Sequence, residues 1–313
     1  MEVVVQFVLL AVGFVLLVKG ADWFVEGASK VAEKFGIPQL VIGLTIVAMG
    51  TSLPEAAVSV SAALKGSAEI TIGNIVGSNI MNVLLILGLT SLVTPIAVQK
   101  STVKYEIPFV AVVSALLMGL GCTDQVVGRT DGLILWALML CYLGYLLYMS
   151  KKEMAIVEEA PDGDKQMSIW KMLLLIVAGG VMIVAGSDVA VDAATELARI
   201  FGMSERLIGL TIVAFGTSLP ELVTSVTAAI KGKADIAVGN IVGSNIFNIL
   251  FVVGTSALIT PVAYAANFFV DSVVCVVTIV LLWALVVKKH RLGRAGGACM
   301  LVCYGVYFVH IMG

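Results

Sequence analysis

The sequence predicts an all-α integral membrane protein: ten transmembrane helices, arranged as two inverted-topology five-helix repeats with broken helices at the midplane. Three observations lead there. Sixty per cent of the 313 residues are hydrophobic and only 13% are charged, whereas soluble domains carry about 25% charged residues. A signature in the first half, Ile42-Gly-Leu-Thr-Ile-Val-Ala-Met-Gly-Thr-Ser-Leu-Pro-Glu55, returns as Ile208-Gly-Leu-Thr-Ile-Val-Ala-Phe-Gly-Thr-Ser-Leu-Pro-Glu221. Each copy sets a proline and a carboxylate inside an apolar run, where a charge is costly and marks a functional site by default.

A helix crosses roughly 30 Å of hydrocarbon in about 20 residues. On that scale the first half holds helices at 3–32, 39–64, 70–93, 106–122 and 131–149. The second half holds them at 168–199, 205–230, 236–259, 268–287 and 296–312. The halves are therefore 1–149, with its repeat motif at 41–82, and 168–313, with its motif at 207–248. Between them lies a polar linker, 150–167, containing Lys151, Lys152, Glu153, Glu158, Glu159 and Pro161-Asp-Gly-Asp164. It lacks EF-hand spacing and reads as a connector rather than a calcium sensor. No basic segment precedes the first apolar run and no small-residue cleavage pattern follows, so that run reads as a retained helix. Ten-residue alternating segments are absent, which argues against a barrel.

The duplication has a constant offset of 166, from Glu55 to Glu221. Between Val41–Asn82 and Leu207–Asn248, 30 of 42 positions are identical without a gap. The same offset aligns Gly20 with Gly186, Asp22 with Asp188, Lys65-Gly66 with Lys231-Gly232, and Thr94-Pro95 with Thr260-Pro261. Five spans per half, an odd number, turn the second copy upside down relative to the first. The basic residues agree. With the N-terminus outside, the odd-numbered loops carry 14 lysines and arginines, including Lys30, Lys34, Lys100, Lys104, Lys151, Lys231, Lys288 and Arg294. The even-numbered loops carry 4: Lys65, Arg129, Arg199 and Arg206. That bias places the odd loops and the linker in the cytoplasm and both termini outside.

The second helix of each half should break. Pro54 donates no backbone hydrogen bond and disfavours helical geometry at Leu53. With Gly50 nearby, carbonyls around Ala48–Thr51 should be freed, and irregular backbone at membrane depth is tolerated only inside protein or beside a polar cavity. These carbonyls, the Thr51 and Ser52 hydroxyls and the Glu55 carboxylate form a cluster of hard oxygen ligands. Such ligands suit Na⁺, Ca²⁺ or H⁺ rather than soft transition metals. The third helix adds Asn74, Ser78, Asn79 and Asn82; Ser78 and Asn82 share a face, and Gly73 and Gly77 allow close approach to the broken helix. The second half repeats the set with Ala214, Thr217, Ser218, Glu221, Asn240, Ser244, Asn245 and Asn248. Two carboxylates and two amides match one divalent cation or two monovalent ones. For Asn74, Asn79, Asn240 and Asn245, packing or helix capping accounts for the residue as well as ligation does.

The remaining polar residues read as structural. Asp22 can pair with Lys19, and Asp188 occupies the matching place. Glu106, Asp131 and Asp271 read as solvated helix ends. His290 and His310 do not look like ligands. The cysteines (122, 141, 275, 299 and 303) lack metal-ligand spacing and read as small apolar core residues.

The paired Gly-Thr-Ser-Leu-Pro-Glu and Gly-Ser-Asn-Ile-x-Asn motifs resemble the two alpha-repeats of the sodium/calcium exchanger family, within the cation/calcium antiporters. The resemblance covers essentially the whole chain. It implies exchange of Na⁺ for Ca²⁺ by alternating access, the first helix of each half sliding against a rigid core. It implies that Glu55 and Glu221 are carboxylates shared by Ca²⁺ and Na⁺, with Asn82 and Asn248 completing the ring. Thr51 and Thr217 would give oxygens to Ca²⁺, while Ala48, Ser52 and Ser78, with Ala214, Ser218 and Ser244, would line flanking Na⁺ sites. Members that also carry K⁺ place Asp where this chain has Asn248, so Asn248 leans against K⁺ dependence. The expected substrates are Ca²⁺ and Na⁺ and the expected surroundings are the lipid bilayer of a cell membrane. No cofactor, nucleic acid or ATP is expected, and a monomer suffices for transport. Ca²⁺/H⁺ exchange on the same fold is the nearest alternative; a passive cation channel is a more distant one.

Overall fold

The computed structural model describes residues 2–154, 167–203, 214–266 and 268–312. The first helix, α1 (Glu2–Phe35), is followed by a helix pair bent by 51° at Ser52, α2 (Gln39–Thr51) and α3 (Leu53–Leu64). Then come α4 (Ile70–Val93), α5 (Thr102–Asp124) and α6 (Arg129–Met154). The second half holds α7 (Ile169–Ile200), α8 (Ala214–Thr217) and α9 (Leu219–Ile230). It ends with α10 (Ala234–Ile259), α11 (Phe268–Val286) and α12 (Arg294–Met312). Among the described residues eight helices are long and apolar enough to cross a membrane, or nine if the bent pair is one span. Most of the predicted linker, and positions 205–213 of the predicted seventh helix, lie outside the described residues.

The duplication is visible in the backbone. Gly36 and Gly66 adopt positive φ (63° and 78°), as do their counterparts Gly202 and Gly232 (80° and 72°). Each ends a helix in the left-handed conformation that glycine adopts without steric penalty. The next amide closes the turn onto a carbonyl five residues back: Ser67 to Ala62 at 2.9 Å and Lys233 to Ala228 at 2.8 Å.

The connections sort into two groups. β1 (Ile96–Ala97), between α4 and α5, pairs antiparallel with β4 (Arg291–Leu292), between α11 and α12. On that same face Gln99 donates to Asp235 at 2.7 Å, and Lys233 meets Glu33 at 3.2 Å. β2 (Val126–Val127), after α5, pairs with β3 (Val262–Ala263), after α10. Odd connections meet odd, and even meet even.

Two apolar clusters hold the helices. The larger joins α4, α5, α6, α10, α11 and α12 through residues such as Ile75, Leu84, Val113, Leu135, Ile249 and Leu282. The smaller joins α1 and α7 to α2, α9 and the start of α10 through Leu17, Phe24, Val47, Ile183, Ala190 and Ala228. α1 and α7 run antiparallel in close contact. An added methyl at Gly13 would lie 2.7 Å from the Ala190 backbone, one at Gly20 2.8 Å from the Gly179 carbonyl, and one at Gly27 2.9 Å from the Met172 carbonyl. Their outward faces carry exposed Phe7, Val8, Val15, Leu174, Val177 and Val181, which suits contact with hydrocarbon.

Three readings of the sequence need correction. Glu106 is not a solvated end. α5 begins at Thr102 through a π-turn, Thr102–Glu106, so Glu106 lies inside the helix, 1% exposed, and accepts a hydrogen bond from the Tyr145 hydroxyl. Pro108, which has no N–H to offer, sits just after this widened turn. Asp22 pairs not with Lys19 but with Lys231, at 2.6 Å. Of the cysteines only Cys275 is buried; Cys122, Cys141 and Cys299 are exposed and Cys303 is half-buried. Asp131 and Asp271 are half-buried and accept from the Gly128 amide (2.8 Å) and the Tyr307 hydroxyl (3.0 Å).

Candidate functional site

The break in each repeat occurs at a serine. Ser52 (φ −85°, ψ 9°) and Ser218 (φ −91°, ψ 3°) leave helical geometry, and Pro54 and Pro220 then start a new helix, where a missing N–H costs nothing. The breaks place Glu55 and Glu221 in the first turns of α3 and α9. Both glutamates are 0% exposed. Each is held by the other repeat: the Ser52 hydroxyl donates to Glu221 Oε1 at 2.8 Å, and the Ser218 hydroxyl donates to Glu55 Oε1 at 3.2 Å. The two halves therefore interlock at one place.

Asn82 and Asn248 begin π-turns, Asn82–Leu87 and Asn248–Val253, at the fourth turns of α4 and α10. Such widened turns interrupt the helical register and often occur at functional positions. The Asn82 amide donates to Asn245 Oδ1 and the Asn248 amide to Asn79 Oδ1, both at 3.1 Å. In turn Asn79 and Asn245 donate to each other's carbonyls at 3.2 and 3.3 Å. This symmetric brace fixes which way Asn82 and Asn248 point: their nitrogens are used, and their Oδ1 atoms are left over.

Those leftovers define the site. Glu55 Oε2, Glu221 Oε2, Asn82 Oδ1 and Asn248 Oδ1 are all buried acceptors without a hydrogen-bond partner. Buried polar atoms are normally paired, and an orphan requires an explanation. The four orphan acceptors, two per repeat, are related by the 166-residue offset, and such buried oxygens could serve a cation. Oxygen donors alone suit a hard ion.

The other predicted residues are arranged around this core. Thr51 is 1% exposed, and its hydroxyl bonds to Asn240 Oδ1 at 2.9 Å and to the Ala48 carbonyl at 3.3 Å. The Ser244 hydroxyl also reaches the Ala48 carbonyl, at 3.3 Å. Ser52, Ser78, Ser218 and Ser244 are buried. Thr217 is half-buried, and Ala214 lies in α8. The asparagines left open by the sequence take structural roles: Asn79 and Asn245 brace, while Asn74 and Asn240 donate to the Glu55 and Glu221 carbonyls (3.3 and 3.4 Å) and to Ser59 and Ser225 (2.9 Å each). Close approach through glycine holds for Gly239 and Gly243 of α10, where an added methyl would meet the Gly43 backbone at 3.0 Å and the Leu44 carbonyl at 2.7 Å. The partners that symmetry assigns to Gly73 and Gly77 fall within 204–213, outside the described residues. Sequence reasoning missed the brace and the π-turns, which leave no mark beyond the repetition itself.

Two broken helices whose buried carboxylates are each held by the other repeat are the architecture of secondary transporters. Comparisons with known proteins narrow the class. The family model described as sodium/calcium exchanger protein matches residues 5–148 and 171–313. A curated relative named putative antiporter CaxA, from Alkalimonas amylolytica, is 40% identical over 301 residues, covering 94% of each chain. The sodium/calcium exchanger MaX1 of Methanosarcina acetivorans is 31% identical over 350 residues, covering 98% of each. Among solved structures, the sodium-calcium exchanger NCX_Mj soaked with Na⁺ and Sr²⁺ superposes with a TM-score of 0.85 at 32% identity, covering 98% of both chains. The chain belongs to the sodium/calcium exchanger family, a family of membrane transporters rather than enzymes.

Proposed function

We propose that this protein exchanges Na⁺ for Ca²⁺ across a cell membrane by alternating access at the Glu55–Glu221 site. The observation that carries the proposal is the set of four buried, unpartnered acceptor oxygens, two from each repeat. Ca²⁺ would bind between the two carboxylates, with Asn82 and Asn248 completing the ring and Thr51 and Thr217 contributing oxygens. Na⁺ would occupy the same carboxylates and flanking positions lined by Ala48, Ser52, Ser78, Ala214, Ser218 and Ser244. Ions that need the same carboxylates exclude one another, and exclusion makes exchange the natural outcome. The serines that donate to the glutamates favour Na⁺ over H⁺ as counter-ion: a hydroxyl oxygen ligates Na⁺ but adds little to proton carriage.

The reading includes ten crossings in two inverted halves, 1–149 and 168–313, joined by a cytoplasmic connector at 150–167. The parity of the β1–β4 and β2–β3 pairings supports it, and the basic-residue bias supports placing both termini outside. One experiment tests the transport reading. In proteoliposomes, an outward-directed Na⁺ gradient should drive ⁴⁵Ca uptake, with the same rate in the presence and absence of K⁺. Uptake driven by a pH gradient and indifferent to Na⁺ would replace it with Ca²⁺/H⁺ exchange; uptake that needs no counter-ion would replace it with a channel.

A further inference from the structure

The two halves are nearly equivalent in sequence but not in contact. On α1, Asp22 accepts from the Lys231 ammonium through its carboxylate at 2.6 Å and through its backbone carbonyl at 2.9 Å. The offset of 166 maps this pair onto Asp188 of α7 and Lys65, which follows α3. The local framework of the two lysines is the same, since each sits directly before a left-handed cap glycine, Gly232 or Gly66. Yet no ion pair or hydrogen bond joins Lys65 to Asp188, and both are exposed.

One further contact follows the same asymmetry. The Thr51 hydroxyl bonds to Asn240 at 2.9 Å, whereas its counterpart Thr217 makes no such bond to Asn74 and is less buried. Phe24, 3% exposed, closes over Gly50 so tightly that an added methyl there would lie 2.8 Å from the ring. Gly216 is covered as closely from α7 by Val191, and the Ser187 hydroxyl donates to the Gly216 carbonyl at 2.9 Å, so packing over the two breaks is not part of the asymmetry.

From these observations we infer that Asp22–Lys231 and Asp188–Lys65 are two alternately formed clasps, and that Lys231 and Lys65 are positioning residues for the exchange cycle. The inference rests on the alternating-access reading and deepens it. In the state seen here the α1 clasp is formed, tying α1 to the end of α9. When α1 and α7 move against the rest of the molecule, the α1 clasp opens and the symmetric pair on α7 closes. Neither lysine touches the ion site; each acts by weighting one of the two states. Exposed ion pairs contribute little individually, so loss of one clasp should change the ratio of the two states by about two- to fivefold.

The opposite signs of the two losses provide the test. Wild type, Lys231→Met and Lys65→Met are reconstituted in one orientation, and the half-saturating Ca²⁺ concentration for ⁴⁵Ca/Ca²⁺ self-exchange is measured on each face. Lys231→Met should lower the half-saturating concentration about two- to fivefold on the face that carries Lys231 and raise it on the other. Lys65→Met should do the reverse. The exchanged pair Asp22→Lys with Lys231→Asp should return the wild-type ratio. Shifts of the same sign in both single variants, or no shift in either, would overturn the clasps. Self-exchange needs no Na⁺ or H⁺; absence of ⁴⁵Ca exchange in wild type would instead remove the exchange reading itself.

Discussion

Replacing Glu55 with Gln isolates the charge from the shape. Glu55 Oε1 already accepts the Ser218 hydroxyl at 3.2 Å while Oε2 has no partner, so an amide can keep the first contact and place its nitrogen where the orphan oxygen was. The fold should survive; the ion should not bind. A ligand at 100 times its Kd stabilises the native state by about 2.7 kcal/mol. Removing one partner of a buried, desolvated charge pair costs about 3–5 kcal/mol. At the lower figure the affinity falls roughly 160-fold, and the stabilisation from the same Ca²⁺ concentration drops to about 0.3 kcal/mol. The assay is thermal unfolding in detergent with Ca²⁺ or with chelator. Wild type should show a Ca²⁺-dependent rise in midpoint, and Glu55→Gln should show almost none while unfolding as cooperatively as wild type in chelator. Retention of the full Ca²⁺ shift by the variant would refute the shared-carboxylate site. Glu221→Gln should behave the same way, because its Oε1 is held by Ser52 as Glu55 is by Ser218.

Two further outcomes test the scaffold around the site. Asn79→Ala leaves the Asn248 amide without its partner (3.1 Å), while the Asn245 carbonyl keeps the Asn248 backbone N–H; one buried orphan should destabilise by about 1–3 kcal/mol, read as a lowered midpoint in chelator. Gly243→Ala forces a methyl to within 2.7 Å of the Leu44 carbonyl, an overpacking that should cost about 1–3 kcal/mol, whereas Gly305→Ala, with nothing within 4 Å, should leave the midpoint unchanged.

Most of the candidate site was legible in the sequence because its most expensive residues repeat. A buried carboxylate beside a proline is rare enough in an apolar chain that two copies at one offset identify it. The helix breaks were legible for the same reason: Pro54 and Pro220 act locally, through a missing N–H and a steric clash. Glu106 shows the limit. Its burial depends on a helix that starts one turn early through a π-turn whose Val103 carbonyl is taken by Trp283, 180 residues away, at 3.0 Å. Asp22 shows it again, since nearby Lys19 was the obvious partner and Lys231 the real one.

By itself, then, the sequence determined what is carried by local chemistry and repetition: membrane helices, two equivalent halves, and two costly glutamates with oxygen-bearing neighbours. Tertiary structure decided what depends on contacts between the halves. Only there does Ser52 reach Glu221 and Ser218 reach Glu55, and only there do the asparagine amides use up their nitrogens and leave two buried oxygens without a partner. The reason is physical. A hydrogen bond across more than 160 residues follows from how helices pack, and two halves that are nearly identical in sequence still differ in which clasp is formed.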